Sequence, residues 1–67
     1  MTEREKSIYD YIIKFKQING FSPNFNEIAM ANHISRTHAK RCVYRLHDKG
    51  ILEISPKYRG IKVIQFL

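Results

Sequence analysis

Polar and basic side chains that could contact nucleic acid are concentrated between positions 35 and 45. No Asp or Glu occurs from Ser35 to His47. An arginine can donate two hydrogen bonds to one guanine, a threonine can touch a thymine methyl group, and phosphates attract any cation. We therefore predict that one helix face here contacts double-stranded DNA, a solvated basic face being the alternative. The predicted contacts are Ser35, Arg36, Thr37, His38, Lys40, Arg41, Tyr44 and Arg45. Lys40, Tyr44 and Arg45 lie further along the helix and are expected to contact phosphates.

Two smaller groups could add contacts. Lys57, Tyr58 and Arg59 place two cations around an aromatic ring, and we expect them on a phosphate strand or in the minor groove. Arg59 is the member that we most expect to reach DNA, as a cation in a flexible loop. Asn24 and Asn26 lie where a second helix begins, and free amides at such an end can hold a phosphate. A simple capping role for Asn24 is the alternative.

The sequence offers no catalytic or metal site. His38 and Cys42 are four residues apart, but the chain has neither a CxxC nor an HxxxH pair. We interpret Cys42 as a small buried apolar residue. No nucleophile, base and orienting group occur at a recognisable spacing. We expect no enzyme activity, no metal and no cofactor.

Size and charge agree with a small DNA-binding domain. The 67 residues allow one domain, residues 1–67, and the net charge is +6. Residues 1–34 have four basic and four acidic side chains, so residues 35–67 carry the whole net charge. The single cysteine excludes an internal disulfide, and no apolar run approaches the roughly 20 residues of a membrane span. We expect a cytoplasmic protein without a membrane partner.

Apolar periodicity and capping residues predict the elements that position these side chains. Ile8, Tyr11, Ile12 and Phe15 form one stripe of a first helix over residues 2–19. Capping patterns begin it at Thr2 and begin a second helix, residues 24–32, at Asn24. A third helix runs from Arg36 to Lys49, between Ser35 and Gly50. The predicted core is Ile12, Phe15, Ile28, Ala29, Val43 and Leu46.

After Gly50 the periodicity becomes that of β-strands. Residues 51–55 and 61–66 are expected to pair antiparallel across a loop at residues 56–60. Two helices joined by a short turn, the second one basic, form a helix-turn-helix, and a basic hairpin makes it a winged one. The predicted fold is mainly α with a small β-hairpin, a three-helix winged helix-turn-helix.

Several motifs resemble the N-terminal DNA-binding domain of the LexA repressor family, in the same order and over nearly the whole chain. They are Thr2-x-Arg4, Asp10-x-Ile12, Phe21-Ser22-Pro23, Asn26-Glu27-Ile28-Ala29, Lys49-Gly50-Ile51-Leu52-Glu53-Ile54 and Arg59-Gly60-Ile61. The resemblance implies a winged helix-turn-helix that binds operator DNA and represses transcription. It also implies that residues 35–41 face the major groove and that the loop near Tyr58 faces the minor groove or the backbone.

The chain departs from the family in its turn, its recognition helix and its length. The turn before the third helix is one residue shorter, and Lys40 and Arg41 stand where the family commonly has acidic residues. The operator sequence therefore cannot be carried over. The family continues into a self-cleaving Ser-Lys domain that also dimerises, whereas this sequence ends at Leu67. It is either a piece of a longer protein or a small free-standing regulator, such as one from a phage or plasmid.

The leading hypothesis is a sequence-specific transcriptional regulator, most simply a repressor. One alternative is a winged-helix module that binds a protein partner, another regulator or a polymerase. The other is a DNA-bending accessory factor for recombination. We expect a monomer or weak homodimer that pairs on a two-fold DNA site. Its pairing surface would include the outer face of the first helix or the second strand, with Tyr9, Ile13 or Phe66 exposed.

Overall fold

Three helices and one hairpin follow each other along the chain. A computed structural model describes all residues, Met1 to Leu67. The helices are α1 (Glu3–Asn19), α2 (Phe25–Asn32) and α3 (Arg36–Asp48). The strands are β1 (Leu52–Ile54) and β2 (Ile61–Val63), which pair antiparallel as a two-stranded sheet. None of the helices combines the length and the apolar character that a membrane crossing requires.

Local capping chemistry begins all three helices at the predicted residues. The Thr2 hydroxyl accepts from the Glu5 amide at 3.1 Å, and the Glu5 carboxylate accepts in return from the Thr2 amide at 3.2 Å. Asn24 and Glu27 make the same reciprocal pair at α2, with both distances 2.8 Å. Ser35 caps α3 by accepting from the His38 amide at 3.0 Å. These caps satisfy amides that have no partner within their own helix.

The helix-turn-helix connection is short because one residue adopts a left-handed conformation. His33 has φ of 56°, and its amide hydrogen-bonds back to the last turn of α2. Ile34 then donates its amide to the Ala29 carbonyl at 3.0 Å and packs against the core. Ser35 follows at once as the cap of α3. The reversal therefore occupies residues 33–35 only and brings α3 directly across α2.

The hairpin is shorter than the sequence predicted. Leu52 pairs with Val63 and Ile54 with Ile61, so each strand has three residues instead of the five and six expected. At Gly60 an added Cβ would lie 2.5 Å from the Ser55 carbonyl oxygen, so only glycine fits where the loop turns into β2. Beyond Val63 the amides of Ile64 and Gln65 both donate to the Ile51 carbonyl, at 2.9 and 3.3 Å, so the regular pairing ends there. The chain then contacts α1 through the Tyr9 hydroxyl.

The core lies where the three helices meet the inner face of the hairpin. Twelve hydrophobic residues are buried there: Ile8, Tyr9, Ile12, Ile28, Ala29, Ala39, Cys42, Val43, Leu46, Ile51, Leu52 and Ile61. Five of the six predicted core residues are among them. Phe15 is only half-buried, because it stacks on Tyr11 and Phe21 at the edge of the domain instead of entering the core.

The expectation that Tyr9 is exposed is wrong. Its side chain is buried, and its hydroxyl donates to the Gln65 carbonyl at 2.9 Å while accepting from the Leu67 amide at 2.8 Å. The chain after β2 therefore covers this side of α1. Ile13 is half-buried, and Phe66 is exposed as expected.

Candidate nucleic-acid interface

Helix α3 has a buried face, which packs in the core, and a polar face, which carries the predicted DNA contacts. Ala39, Cys42, Val43 and Leu46 are all buried. Among the predicted contacts, the exposed ones are Ser35, Arg36, Thr37, Lys40, Arg41, Tyr44 and Arg45, while His38 is half-buried. The Ser35 hydroxyl is committed to its cap, so its role there is to begin the helix. The others present hydrogen-bonding groups or charge on a single helical surface.

The cations of this surface have no carboxylate partner. The protein contains two ion pairs, Lys49 with Glu5 and Arg59 with Glu27. All other basic side chains in the second half of the chain are therefore unpaired, and they are Arg36, Lys40, Arg41, Arg45, Lys57 and Lys62. All but Lys62 lie on α3 or in the loop between the two strands, so the unpaired cations of residues 35–67 are concentrated in these two elements. Such a surface attracts a polyanion.

A cleft joins the three predicted groups. It lies between the beginning of α2, the beginning of α3 and the loop between the strands, which we call the wing loop (residues 55–60). Its polar lining includes Asn24, Asn26, Arg36, Lys57, Tyr58 and Arg59. Residues that are distant in sequence thus face the same space. Arg36 is the only predicted contact of α3 that lines this cleft. The others lie outside it, and they are Ser35, Thr37, His38, Lys40, Arg41, Tyr44 and Arg45. Tyr44 packs edge-on against His47.

Asn24 performs the capping role. Its side-chain oxygen accepts from the Glu27 backbone amide, and its backbone amide donates to the Glu27 carboxylate. Its side chain is therefore already used within the protein. Asn26, in contrast, is exposed. Phosphate binding at this helix end stays a prediction, which now depends on the backbone amides of Phe25 and Asn26 and on the Asn26 side chain more than on the Asn24 side chain.

Two wing-loop residues are open to solvent. The Tyr58 ring is 80% exposed, and Lys57 is exposed and has no ion-pair partner. The Lys57 amide donates to the Ser55 hydroxyl at 3.2 Å, which shapes the loop without involving its charged end. Both side chains are therefore available to an external partner beside the N-terminal end of α3.

Arg59 is not the free loop cation that the sequence suggested. Its guanidinium donates to both Glu27 carboxylate oxygens, at 2.5 and 3.2 Å, and to the Ser22 carbonyl at 3.0 Å. Its side chain is 19% exposed and its central carbon lies 4.6 Å from the centre of the Phe21 ring. The hydrogen bond from Arg59 holds the pKa of Glu27 below its ordinary value, so the carboxylate stays charged. Three of the five N–H donors of Arg59 are therefore used within the protein, and its contact with DNA stays a prediction.

No pattern in the sequence indicated this ion pair. The sequence pattern assigns Glu27 to a capping box and Arg59 to a basic loop, and 32 positions separate them. The buried Glu5 was likewise recognised only as a capping residue, yet it also binds Lys49, which lies 44 positions away. Both pairs depend on the packing of complete elements, which local spacing does not reveal.

Helix-turn-helix geometry followed by an antiparallel hairpin defines this chain as a winged helix-turn-helix domain. The chain is similar to LexA repressors, which confirms the resemblance seen in its motifs. It is 35% identical over 66 residues to the LexA repressor of Staphylococcus epidermidis and 31% identical over 64 residues to that of Pseudothermotoga lettingae. The LexA repressor of Thermosipho africanus is 32% identical over 66 residues.

These matches include nearly all of the present chain and a minority of each relative. They cover 96–97% of this chain but only 32–33% of the repressors, so the chain spans about a third of the length of the curated relatives it matches. No protein-family model matches the sequence. The similarity therefore concerns a segment equal in size to one small domain.

Proposed function

We propose that this domain binds double-stranded DNA in a sequence-dependent manner and acts as a transcriptional repressor. The observation that carries the proposal is the outer face of α3, where unpaired cations and hydrogen-bonding side chains occur without any acidic residue. An α-helix with such a face fits the major groove. The similarity to proteins named LexA repressor supports the same function.

The start of α3 is the proposed reading element. Arg36, Thr37, His38 and Arg41 lie in its first two turns, which is the part of a recognition helix that reaches base edges. Lys40, Tyr44 and Arg45 would contact phosphates on the groove walls. Because the base-reading side chains project from a packed helix, each would be held at one base step.

The wing and the beginning of α2 would hold the duplex on either side of α3. Lys57 and Tyr58 are the exposed wing residues, and we propose that they contact the backbone or the minor groove. The first-turn amides of α2, with Asn26, would hold a phosphate across the cleft from them. These contacts fix the orientation of the domain, whereas α3 selects the sequence.

We further propose that two copies bind one two-fold DNA site. A single module buries about 600–1,000 Å² of protein surface on DNA, which is small for a specific complex, and a second half-site compensates for this. Ile13 and the exposed Phe66 lie near Lys62 and Val63 and are the proposed pairing surface, while the buried Tyr9 is excluded from it. Sedimentation with and without DNA would check this, and a tight dimer in the absence of DNA would contradict it.

Titration of selected and random duplexes at two salt concentrations tests the proposed function. A sequence-specific repressor should prefer its selected site by roughly 10³-fold or more. Strong salt dependence without sequence preference would instead indicate the DNA-bending accessory factor. An absence of binding to every duplex would contradict both and leave the module that binds another regulator or a polymerase.

A further inference from the structure

We propose that Glu27 and Arg59 form a latch that holds the wing loop in its DNA-binding position, so that a carboxylate beside the interface strengthens DNA binding. This inference rests on the proposed function. The two residues are positioning residues, since their groups contact each other instead of the duplex. Removal of a negative charge near DNA ordinarily increases affinity, and the latch predicts the opposite.

The contacts of Arg59 tie the wing loop to three separate parts of the domain. Its guanidinium binds Glu27 on α2 through two hydrogen bonds and the Ser22 carbonyl in the connector through a third. The same group lies over the Phe21 ring, and the Phe15 ring of α1 is also near, 5.9 Å from the guanidinium carbon. Two parallel hydrogen bonds to one carboxylate fix the guanidinium plane as well as its position.

The backbone at Arg59 adopts a conformation that its surroundings must hold. Arg59 has φ of 56°, in the left-handed region that non-glycine residues seldom adopt. Residues remain there when their surroundings hold them, and here these include the contacts of the Arg59 side chain and the hydrogen bond from the Ser55 amide to the Gly60 carbonyl at 2.9 Å. Because Lys57 and Tyr58 come immediately before Arg59, the same contacts determine where these exposed residues lie.

The hairpin needs such an attachment. Its strands have only three residues each, and a two-stranded hairpin of this size is marginal by itself. Its inner face is held by the core through Leu52 and Ile61, whereas the wing loop is joined across the hairpin by one backbone hydrogen bond, from the Ser55 amide to the Gly60 carbonyl at 2.9 Å. Arg59 attaches the wing loop to the helical part of the domain through its hydrogen bonds to Glu27 and Ser22.

Glu27 is suited to hold the latch because it is itself fixed. Its Oε1 oxygen accepts from the Asn24 amide at 2.8 Å and from Arg59, so one carboxylate closes the cap of α2 and attaches the wing. The beginning of α2 and the wing loop line the same cleft. The latch therefore sets the distance between the two regions proposed to contact the duplex on either side of α3.

Glu27→Gln is the decisive variant. Glutamine at this position of a capping box still bonds the cap amide, so α2 keeps its beginning while the ion pair is lost. Its matched control is Glu53→Gln, since Glu53 is an exposed acid on β1 without an ion pair. Circular dichroism and thermal melting would establish that each variant is folded at the assay temperature.

Two measurements on the whole chain would be made. The first is the dissociation constant for a selected duplex. We expect Glu27→Gln to weaken binding about 3- to 10-fold, a coupling typical of paired residues, while Glu53→Gln binds as the parent or slightly tighter. Arg59→Ala should weaken binding similarly, and the double variant should be no weaker than Arg59→Ala alone. Equal or tighter binding by Glu27→Gln would overturn the proposal, because it would show that the ion pair between Glu27 and Arg59 does not strengthen DNA binding.

The second measurement is the ¹⁵N heteronuclear NOE of Lys57, Tyr58 and Gly60 in the free protein. The latch predicts that these values fall in Glu27→Gln and Arg59→Ala and stay unchanged in Glu53→Gln. Unchanged values in all variants would overturn it. If the parent binds no duplex, the proposed function fails, and this measurement still decides whether the pair orders the wing loop.

Discussion

The Glu5 carboxylate lies 2.6 Å from the Lys49 ammonium group and joins the beginning of α1 to the end of α3. Glu5 is 2% exposed, whereas the Lys49 side chain is 45% exposed. The hydrogen bond from Lys49 outweighs the effect of burial and holds the pKa of Glu5 below its ordinary value of 4.5. The same carboxylate caps α1 through the Thr2 amide, so one buried acid links two helices.

We expect this pair to make stability depend on acid pH. Because the pKa of Glu5 is lower in the folded state, the pair stabilises the fold above about pH 4.5, and its contribution is lost as pH falls through the depressed pKa. Glu5→Gln should lower the free energy of unfolding at pH 7 by about 1–2 kcal/mol and weaken its dependence on pH below 5. Urea denaturation across pH measures both effects. Glu3→Gln, an exposed acid in the same turn, is the control, and an equal loss in both variants would contradict the assignment.

Leu46→Ala should remove a central part of the core. Leu46 is fully buried on α3, so truncation to alanine should cost about 2–5 kcal/mol. In a domain whose stability is near the low end of about 5–15 kcal/mol, this loss can unfold it at body temperature. Thermal melting checks the expectation. Met30→Ala on α2 is the control because Met30 is 77% exposed, and a similar melting temperature for both variants would place Leu46 outside the core.

Tyr9→Phe should release the chain after β2 from α1. The substitution keeps the buried ring and removes the hydroxyl that bonds the Gln65 carbonyl and the Leu67 amide. We expect a loss of about 0.5–1.5 kcal/mol in the free energy of unfolding and faster amide exchange at Leu67. Amide exchange followed by NMR would show this directly. Protection of Leu67 equal to that in the parent would mean that the hydroxyl does not hold this segment.

Arg41→Ala tests whether α3 reads sequence. Arg41 is exposed and unpaired in the proposed reading region, so its loss should weaken binding to the preferred site by about 1–3 kcal/mol and relax preference at one base pair. Lys62→Ala removes the same charge from β2, outside the proposed interface, and should have a smaller, sequence-independent effect. If Arg41→Ala binds every duplex as the parent does, α3 is not the reading element.

Lys57→Ala tests the wing as a charge contact. Its exposed ammonium group has no internal partner and should lie at a phosphate. Binding to specific and random duplexes should weaken to a similar degree, and the slope of log K against log salt should fall by about one. Titrations at several salt concentrations measure the slope. A loss confined to one sequence would instead indicate that Lys57 reads a base or the width of the minor groove.

The sequence predicted features whose causes are local. Thr2, Asn24 and Ser35 cap the three helices as expected, because a cap depends on residues three positions apart. The order of elements and the antiparallel hairpin were likewise predicted, since periodicity and turn residues determine them. The exposed face of α3 followed from the same periodicity that placed Val43 and Leu46 in the core.

Features that depend on contacts between distant segments were missed. Tyr9 lies beside the predicted stripe of α1 and is buried only because the chain beyond β2 folds over it. Phe15 lies on the stripe but falls at the edge of the domain, where it meets Phe21. The position of Arg59 in a hairpin loop predicts a mobile cation, whereas its partner Glu27 lies on α2, 32 positions away. No local pattern contains such information.

The separation of the two faces of α3 has a consequence for how such a domain can diversify. The side chains that hold α3 in place, such as Val43 and Leu46, are buried, whereas Arg36, Thr37 and Arg41 project outward. Substitutions on the outer face therefore leave the core intact and change stability little. Under the proposed function, target preference would change one base pair at a time on an unchanged scaffold, so descendants of one ancestral domain would acquire separate sets of target genes.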